Sequence, residues 1–204
     1  MSAAIIFLAM GVYGGVHSLL ATGWAKSLAR RHFGVAAERG YRLAYNLFAV
    51  LSFLPVVYLV AALPDRVLYT ISWPWVLLSG AGQLLGATIV LLGVRQTDPW
   101  HFLGLRQLGQ GEQNASPTLT VNGLYRYVRH PLYSGGLLFI WLTPRLSVNL
   151  LALNLGLTLY ILIGARLEER RLLAEFREAY AQYRRRVPML IPNPLALLRQ
   201  HPRQ

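Results

Sequence analysis

The chain has 204 residues, 54% of them hydrophobic, and carries a formal net charge of +12 from 20 basic and 8 acidic side chains. Apolar content this high with so few acids excludes an ordinary soluble domain and fits an integral membrane protein with arginines in its loops. The absence of cysteine excludes disulfides, thiolate metal sites and cysteine nucleophiles.

A helix crossing the hydrocarbon core needs about 20 mostly apolar residues. The first candidate runs from about Ala3 to Leu20. It begins with no charged side chain and is interrupted by Gly11, Gly14 and Gly15, so it is read as a retained membrane helix and not as a signal peptide. The second runs from about Leu43 to Leu63 and contains Pro55, which is expected to kink it. The third extends from about Trp73 to Val94, with Gly80, Gly82, Gly86 and Gly93 available for close helix packing. A short fourth, from about Tyr133 to Leu142, stops at Thr143-Pro144-Arg145, and a fifth covers about Leu146 to Ala165. The fourth and fifth read as a helical hairpin turning at Pro144. The expectation is an all-α membrane bundle of about five segments.

Charge placement orients the bundle. The first loop holds Lys26, Arg30, Arg31, Arg39 and Arg42 against Glu38, whereas the second holds Asp65 and Arg66. The third loop and the tail are again rich in arginine. The positive-inside rule places these on the cytoplasmic side, with a prokaryotic inner membrane expected, and the N-terminus outside, which five crossings satisfy. The turn-rich stretch from Gly109 to Asn122 reads as a mobile loop. From Arg166 to Arg186 the chain reads as a cytoplasmic amphipathic helix, with Glu169, Leu173, Phe176, Tyr180 and Tyr183 on one face. One domain is expected over 1–204, with a three-helix part at 1–94, a polar-motif part at 95–192 and a tail at 193–204.

Two polar clusters border the last membrane segments. Arg126, Arg129 and His130 precede Pro131, which lacks a backbone N–H and keeps His130 out of the helical region, so a helix starts there. The second cluster is Arg166-Leu-Glu168-Glu169-Arg170. Hairpin ends return to one membrane face, which brings Arg129 and His130 near the glutamates. Guanidinium suits a carboxylate, and glutamate suits an ammonium or a ribose diol. A plain inter-helix salt bridge is the alternative, but adjacent glutamates project about 100° apart and exceed what one bridge requires. The five histidines show no paired metal spacing, so no metal is expected. The arginines punctuate apolar segments and form no solvated stripe, which points to membrane lipids and away from nucleic acid as the phosphate-bearing partner.

The run Gly-Leu-Tyr-Arg-Tyr-Val-Arg-His-Pro-Leu-Tyr at 123–133, then Leu-Glu-Glu-Arg, then Tyr-Ala-Gln-Tyr-Arg-Arg-Arg-Val-Pro-Met-Leu-Ile-Pro, resembles the isoprenylcysteine carboxyl methyltransferase superfamily of membrane enzymes. Within it the chain looks most like the methanethiol S-methyltransferase branch. This rests on His17-Ser-Leu-Leu-Ala with Lys26, Phe102-Leu-Gly-Leu-Arg-Gln107 and Trp141-Leu-Thr-Pro-Arg145, although Thr97-Asp98-Pro99-Trp100-His101 departs from that branch. The resemblance implies S-adenosylmethionine as cofactor, held by Arg129, His130, Pro131, Tyr133, Glu168 and Glu169. Leu124, Tyr125, Val128, Gly135 and Leu137 would supply its apolar surround. It implies a small thiol as acceptor, for which His17, Arg106 and Gln107 are the polar catalytic candidates. Tyr41, Tyr45, Asn46 and His101 are candidates for lining the acceptor cavity. A lipid acceptor, entering beside the glycine-rich third segment, and a non-catalytic membrane protein linked to nitrogen-oxide metabolism are the alternatives.

Overall fold

The structure, a computed structural model, describes residues 1–110 and 118–193. The chain is predominantly helical, in the order α1 (Ser2–Leu20), α2 (Gly23–Phe33), α3 (Val35–Ala62), β1 (Val67–Thr70), α4 (Trp75–Gln96), α5 (Pro99–Leu103), α6 (Leu105–Gln110), a 3-10 turn (Gly123–Arg126), α7 (Pro131–Trp141), β2 (Arg145–Ser147) and α8 (Val148–Arg186). Of these, α1, α3, α4 and α8 are long and apolar enough to cross a membrane, and α7 is a shorter apolar helix. The five expected apolar segments thus each fall on a helix. Of the expected loop from Gly109 to Asn122, residues 111–117 lie outside the described residues.

The distribution of side chains is inverted relative to a water-soluble protein. Leu8, Leu51, Leu78, Leu84 and Leu159 are exposed, while Gln107, His130, Asn149, Asn154 and Glu169 are buried. Lipid solvates the leucines at no cost, whereas polar groups must find partners inside the protein.

Two compact units emerge. The first contains α1–α3, β1, α5, α6, β2 and α8 as far as Tyr160; the second contains α4, the 3-10 turn, α7 and α8 from Ile161.

In the first unit, α1 hands over to α2 through Thr22, whose hydroxyl donates to Leu19 O at 2.7 Å and accepts from Ala25 N at 3.2 Å. One side chain thereby closes α1 and caps α2. The short α2 and the strands were absent from the expected elements. Antiparallel β1 and β2 pair Val67 with Ser147 and Thr70 with Arg145. Beside them, α3 and α8 cap each other. Asn149, fully buried, donates its amide to Leu63 O at 3.1 Å and Val60 O at 3.3 Å, at the end of α3. In return the first amides of α8 are met by Arg66 O on Val148 N, Asp65 Oδ1 on Asn149 N and Ser147 Oγ on Leu150 N. Burial works against the Asp65 carboxylate, but the Ser147 hydroxyl, the Asn149 and Arg66 amides and the Arg145 charge outweigh it and hold the carboxyl below the usual range. Asp98 caps α5, and Gly104, at φ 89°, closes it. A Cβ at Gly104 would lie 2.6 Å from Leu43 N, so only glycine lets the α5–α6 turn rest on α3.

In the second unit α7 runs along α4, which is its long packing partner. The two backbones touch where Gly86 faces Gly135: a Cβ on either would lie 2.7 Å from the other's carbonyl oxygen. Gly93 meets Leu132 and Gly82 meets Leu142, while Gly80, also expected at a helix contact, has nothing within 4 Å. Ser79 donates to Leu142 O and Gln83 to Phe139 O, anchoring one end of α7. With no hydrophobic drive between helices in lipid, close approach and inter-helix hydrogen bonds carry the association. At Gly82, Gly86 and Gly93 the glycine-rich segment, beside which a lipid acceptor would enter in the alternative reading, is therefore covered by α7.

Candidate functional site

The main polar cluster lies in the second unit and grows from the start of α7. Pro131 occupies the first turn, and His130, at φ −127° and ψ 69°, stays outside the helical region before it, as the His-Pro step predicts. From α8, Glu168 and Glu169 meet this end. Arg129 Nε donates to Glu169 Oε1 at 2.6 Å, with side-chain exposures of 10% and 8%, so this is a buried ion pair. His130 Nε2 lies 3.3 Å from the same oxygen, and Arg184 Nε lies 3.7 Å from Glu169 Oε2. Glu169 is therefore fully engaged by protein.

Glu168 differs. Its carboxylate is 48% exposed, with His130 Nδ1 at 3.5 Å and the Tyr133 hydroxyl donating to Oε2 at 3.3 Å. Tyr133 also stacks on His130, with ring centroids 5.3 Å apart. Burial raises the Tyr125 hydroxyl's pKa, and the Glu168 charge raises it further, keeping that phenol neutral. The roughly 100° between adjacent helix positions turns one glutamate inward and leaves the other facing outward.

Among the expected cofactor residues, Arg129, His130, Tyr125, Tyr133, Glu168 and Glu169 come together. Arg129 does not face outward as a carboxylate clamp: its Nη1 donates to Arg184 O at 3.1 Å and Val187 O at 2.5 Å. Gly135 turns toward α4, because it is the close-contact glycine. Val128 and Pro131 are buried, and Leu124 N donates to Gln96 Oε1 at 3.2 Å. Sequence reasoning did not place Arg184, Tyr183 and Val187–Leu190 in the site, although they lie in the third run that carries the resemblance; the long-range pairing that recruits them is not visible in the local pattern.

The expected acceptor residues all lie in the first unit. His17 Nε2 and the Tyr45 hydroxyl are 2.5 Å apart, while His17 Nδ1 is buried with no hydrogen-bond partner among the described residues. Tyr13 stacks on His17 at 5.6 Å and Tyr160 meets it edge-on at 5.8 Å. A second group forms around α5 and α6. Arg42 Nη1 lies 2.9 Å from His101 Nδ1, Gln107 Nε2 donates to His101 O at 3.3 Å, and Asn46 donates to Leu103 O at 3.1 Å. Arg106 forms a half-exposed ion pair with Asp98 at 2.6 Å, and the Tyr41 hydroxyl donates to Leu20 O at 2.6 Å. These contacts place His17 with Tyr45, and Arg106 and Gln107 with the α5–α6 turn. No group of histidines and acids able to hold a metal ion occurs among the described residues.

The sequence profile of the family described as "Protein of unknown function (DUF1295)" matches residues 29–187. Methanethiol S-methyltransferase 2 of Bradyrhizobium diazoefficiens is 33% identical over 200 residues, covering 97% of this chain and 76% of that protein. Methanethiol S-methyltransferase of Mycobacterium tuberculosis is 30% identical over 195 residues, covering 91% of this chain and 76% of that protein. Protein-S-isoprenylcysteine O-methyltransferase of Schizosaccharomyces pombe is 38% identical over 86 residues, 40% of this chain and 36% of that protein. No solved structure matches the chain. The family match spans both the Arg-His-Pro and the Glu-Glu clusters, and the chain belongs to the DUF1295 family, within the isoprenylcysteine carboxyl methyltransferase-like superfamily.

Proposed function

We propose that this protein is an S-adenosylmethionine-dependent membrane methyltransferase whose acceptor is a small thiol such as methanethiol, giving dimethyl sulfide. The observation that carries the reading is the half-exposed Glu168 carboxylate, oriented by His130 and Tyr133 on a buried ionic frame. Similarity over nearly the whole chain to proteins named methanethiol S-methyltransferase supports the acceptor. The donor set fits the cofactor: a carboxylate between two phenols and an imidazole accepts from a ribose diol or an ammonium group.

The chemistry that S-adenosylmethionine supplies when bound is an electrophilic methyl on a sulfonium. Glu168 holds the polar end, Tyr133 fixes the carboxylate's direction, and Arg129 with Glu169 keeps α7 and α8 in register. Positioning of this kind favours an in-line transfer. We assign the proton-accepting role toward the thiol to His17, because its Nδ1 lacks a partner and the Tyr45 hydroxyl orients the ring.

The test is purified protein incubated with methyl-labelled S-adenosylmethionine and a panel of methanethiol, a prenylcysteine analogue and phosphatidylethanolamine. Labelled dimethyl sulfide is expected. Glu168→Gln should weaken cofactor binding by about tenfold or more, the worth of a charge-assisted hydrogen bond. His17→Ala should lower turnover more than cofactor affinity. Transfer to a lipid but not to methanethiol overturns the acceptor, and no transfer to any of them overturns the enzyme reading. The lipid reading has one observation of its own: a groove of about 470 Å³ in the first unit, lined by Leu8, Val12, Tyr13, Phe48 and Pro55, is almost wholly apolar, as an alkyl chain requires.

We also propose five crossings, with the N-terminus outside and the C-terminus in the cytoplasm. Loop arginines support it. A phosphatase reporter, which works only in the periplasm, should be inactive at Gln204 and active after Ile71; the reverse pattern would refute the orientation.

A further inference from the structure

Glu169 and Arg184 are both assigned to α8, 15 positions apart, which in a straight helix is about 22 Å. Their side chains nevertheless approach to 3.7 Å. The chain therefore doubles back between them, and it does so at Arg177, whose φ of 45° and ψ of −119° break the helix. A non-glycine residue in that region is strained and is held there by its surroundings. The stripe expected from Glu169 to Tyr183 is accordingly interrupted: Glu169, Leu173 and Phe176 precede the break, and Tyr180 and Tyr183 follow it.

Beyond Arg177 the chain lies along the residues before and at the start of α7. Tyr183's hydroxyl donates to Tyr125 O at 2.7 Å. Pro188 O accepts from Arg129 N at 2.9 Å, Met189 O from His130 N at 3.1 Å, and Leu190 O from Ser134 Oγ at 2.6 Å. Arg129 Nη1 adds its bonds to Arg184 O and Val187 O. Glu169 grips this segment twice, directly at Arg184 and through Arg129 Nε.

We propose that Glu169 is a positioning residue that holds residues 178–190 shut as a strap over the Arg129–His130 segment, with Arg177 as its hinge. Shut, the strap buries His130 and fixes the ring on which Tyr133 stacks, which in turn aims Glu168. Released, it frees the backbone amides of Arg129 and His130. The coupling of strap to cofactor rests on the reading above, whereas the clamp is testable without any ligand.

The Arg129 and His130 amides report the strap directly, since both donate to its carbonyls. In ligand-free detergent-solubilised protein, Glu169→Gln should speed hydrogen exchange at these two amides about tenfold or more, the loss of charge-assisted bonds. Amides inside α7 should keep their rates, and Glu168→Gln should leave all of them unchanged. Unchanged exchange at Arg129 and His130, or equal acceleration throughout α7, would overturn the clamp. The cysteine-free chain offers a second arm. A Ser134→Cys, Leu190→Cys pair should cross-link under mild oxidant, and in the Glu169→Gln background the cross-link should restore slow exchange. Failure to restore it also overturns the proposal. With S-adenosylhomocysteine, binding is checked first by calorimetry, so an absence of binding counts against the cofactor alone. Given binding, the same two amides should slow further, and no slowing overturns the coupling.

Discussion

Arg129→Ala is expected to cost about 3 kcal/mol of stability, because it leaves the buried Glu169 carboxylate with only the half-exposed Arg184 as a cation, at 3.7 Å. The residue pairs with Glu169 at 2.6 Å and also serves Arg184 O and Val187 O. Its removal also takes the donor from Val187 O, which is partly buried, and from Arg184 O, which water can reach. For a chain of this size the loss corresponds to a fall in Tm of roughly 10 °C, followed by tryptophan fluorescence in detergent. Glu168→Ala is the comparison. With 48% of that side chain exposed, its loss should cost no more than about 1 kcal/mol. Equal losses for the two variants would mean that the two ends of the cluster are not divided into frame and ligand surface.

Gly86→Leu should be as damaging by a different route. Even a Cβ there would sit 2.7 Å from Gly135 O and 2.9 Å from Phe139 N, so backbone has to move. Overpacking against flexible side chains costs about 1–3 kcal/mol, and rigid backbone puts this site at the top of that range or above it. The α4–α7 contact should open, and the yield of folded protein in detergent should collapse. Gly80→Leu and Gly136→Ala, where nothing lies within 4 Å, should express and melt like the parent. A parent-like melting curve for Gly86→Leu would refute the close α4–α7 contact.

The glycines show how far local reading reaches. Their spacing in α4 marked a helix-packing face, and Gly82, Gly86 and Gly93 do meet α7. Gly80 sits in the same sequence context and meets nothing, because which glycine contacts a neighbour depends on the rotation of α4 against a helix some fifty residues away. Gly135 was read as a cofactor residue from the resemblance, and its position one turn into α7 sets it against α4. The strands were invisible for a related reason: Val67–Thr70 and Arg145–Ser147 are too short to show a period and exist only as a pair.

Hydrophobic length, proline position and loop charge are properties of single segments, so the chain alone determined the membrane helices, the start of α7 at Pro131 and the meeting of the Arg-His and Glu-Glu clusters. What the tertiary structure alone decided is which glutamate does what. Glu168 and Glu169 are chemically the same and adjacent in the chain, and their difference comes from what packs on each side. One is enclosed by Arg129 and by Arg184 returning past the break at Arg177, and the other is left half in the open beside Tyr133. That asymmetry depends on a reversal of the chain at a single strained residue, which no composition, period or motif records.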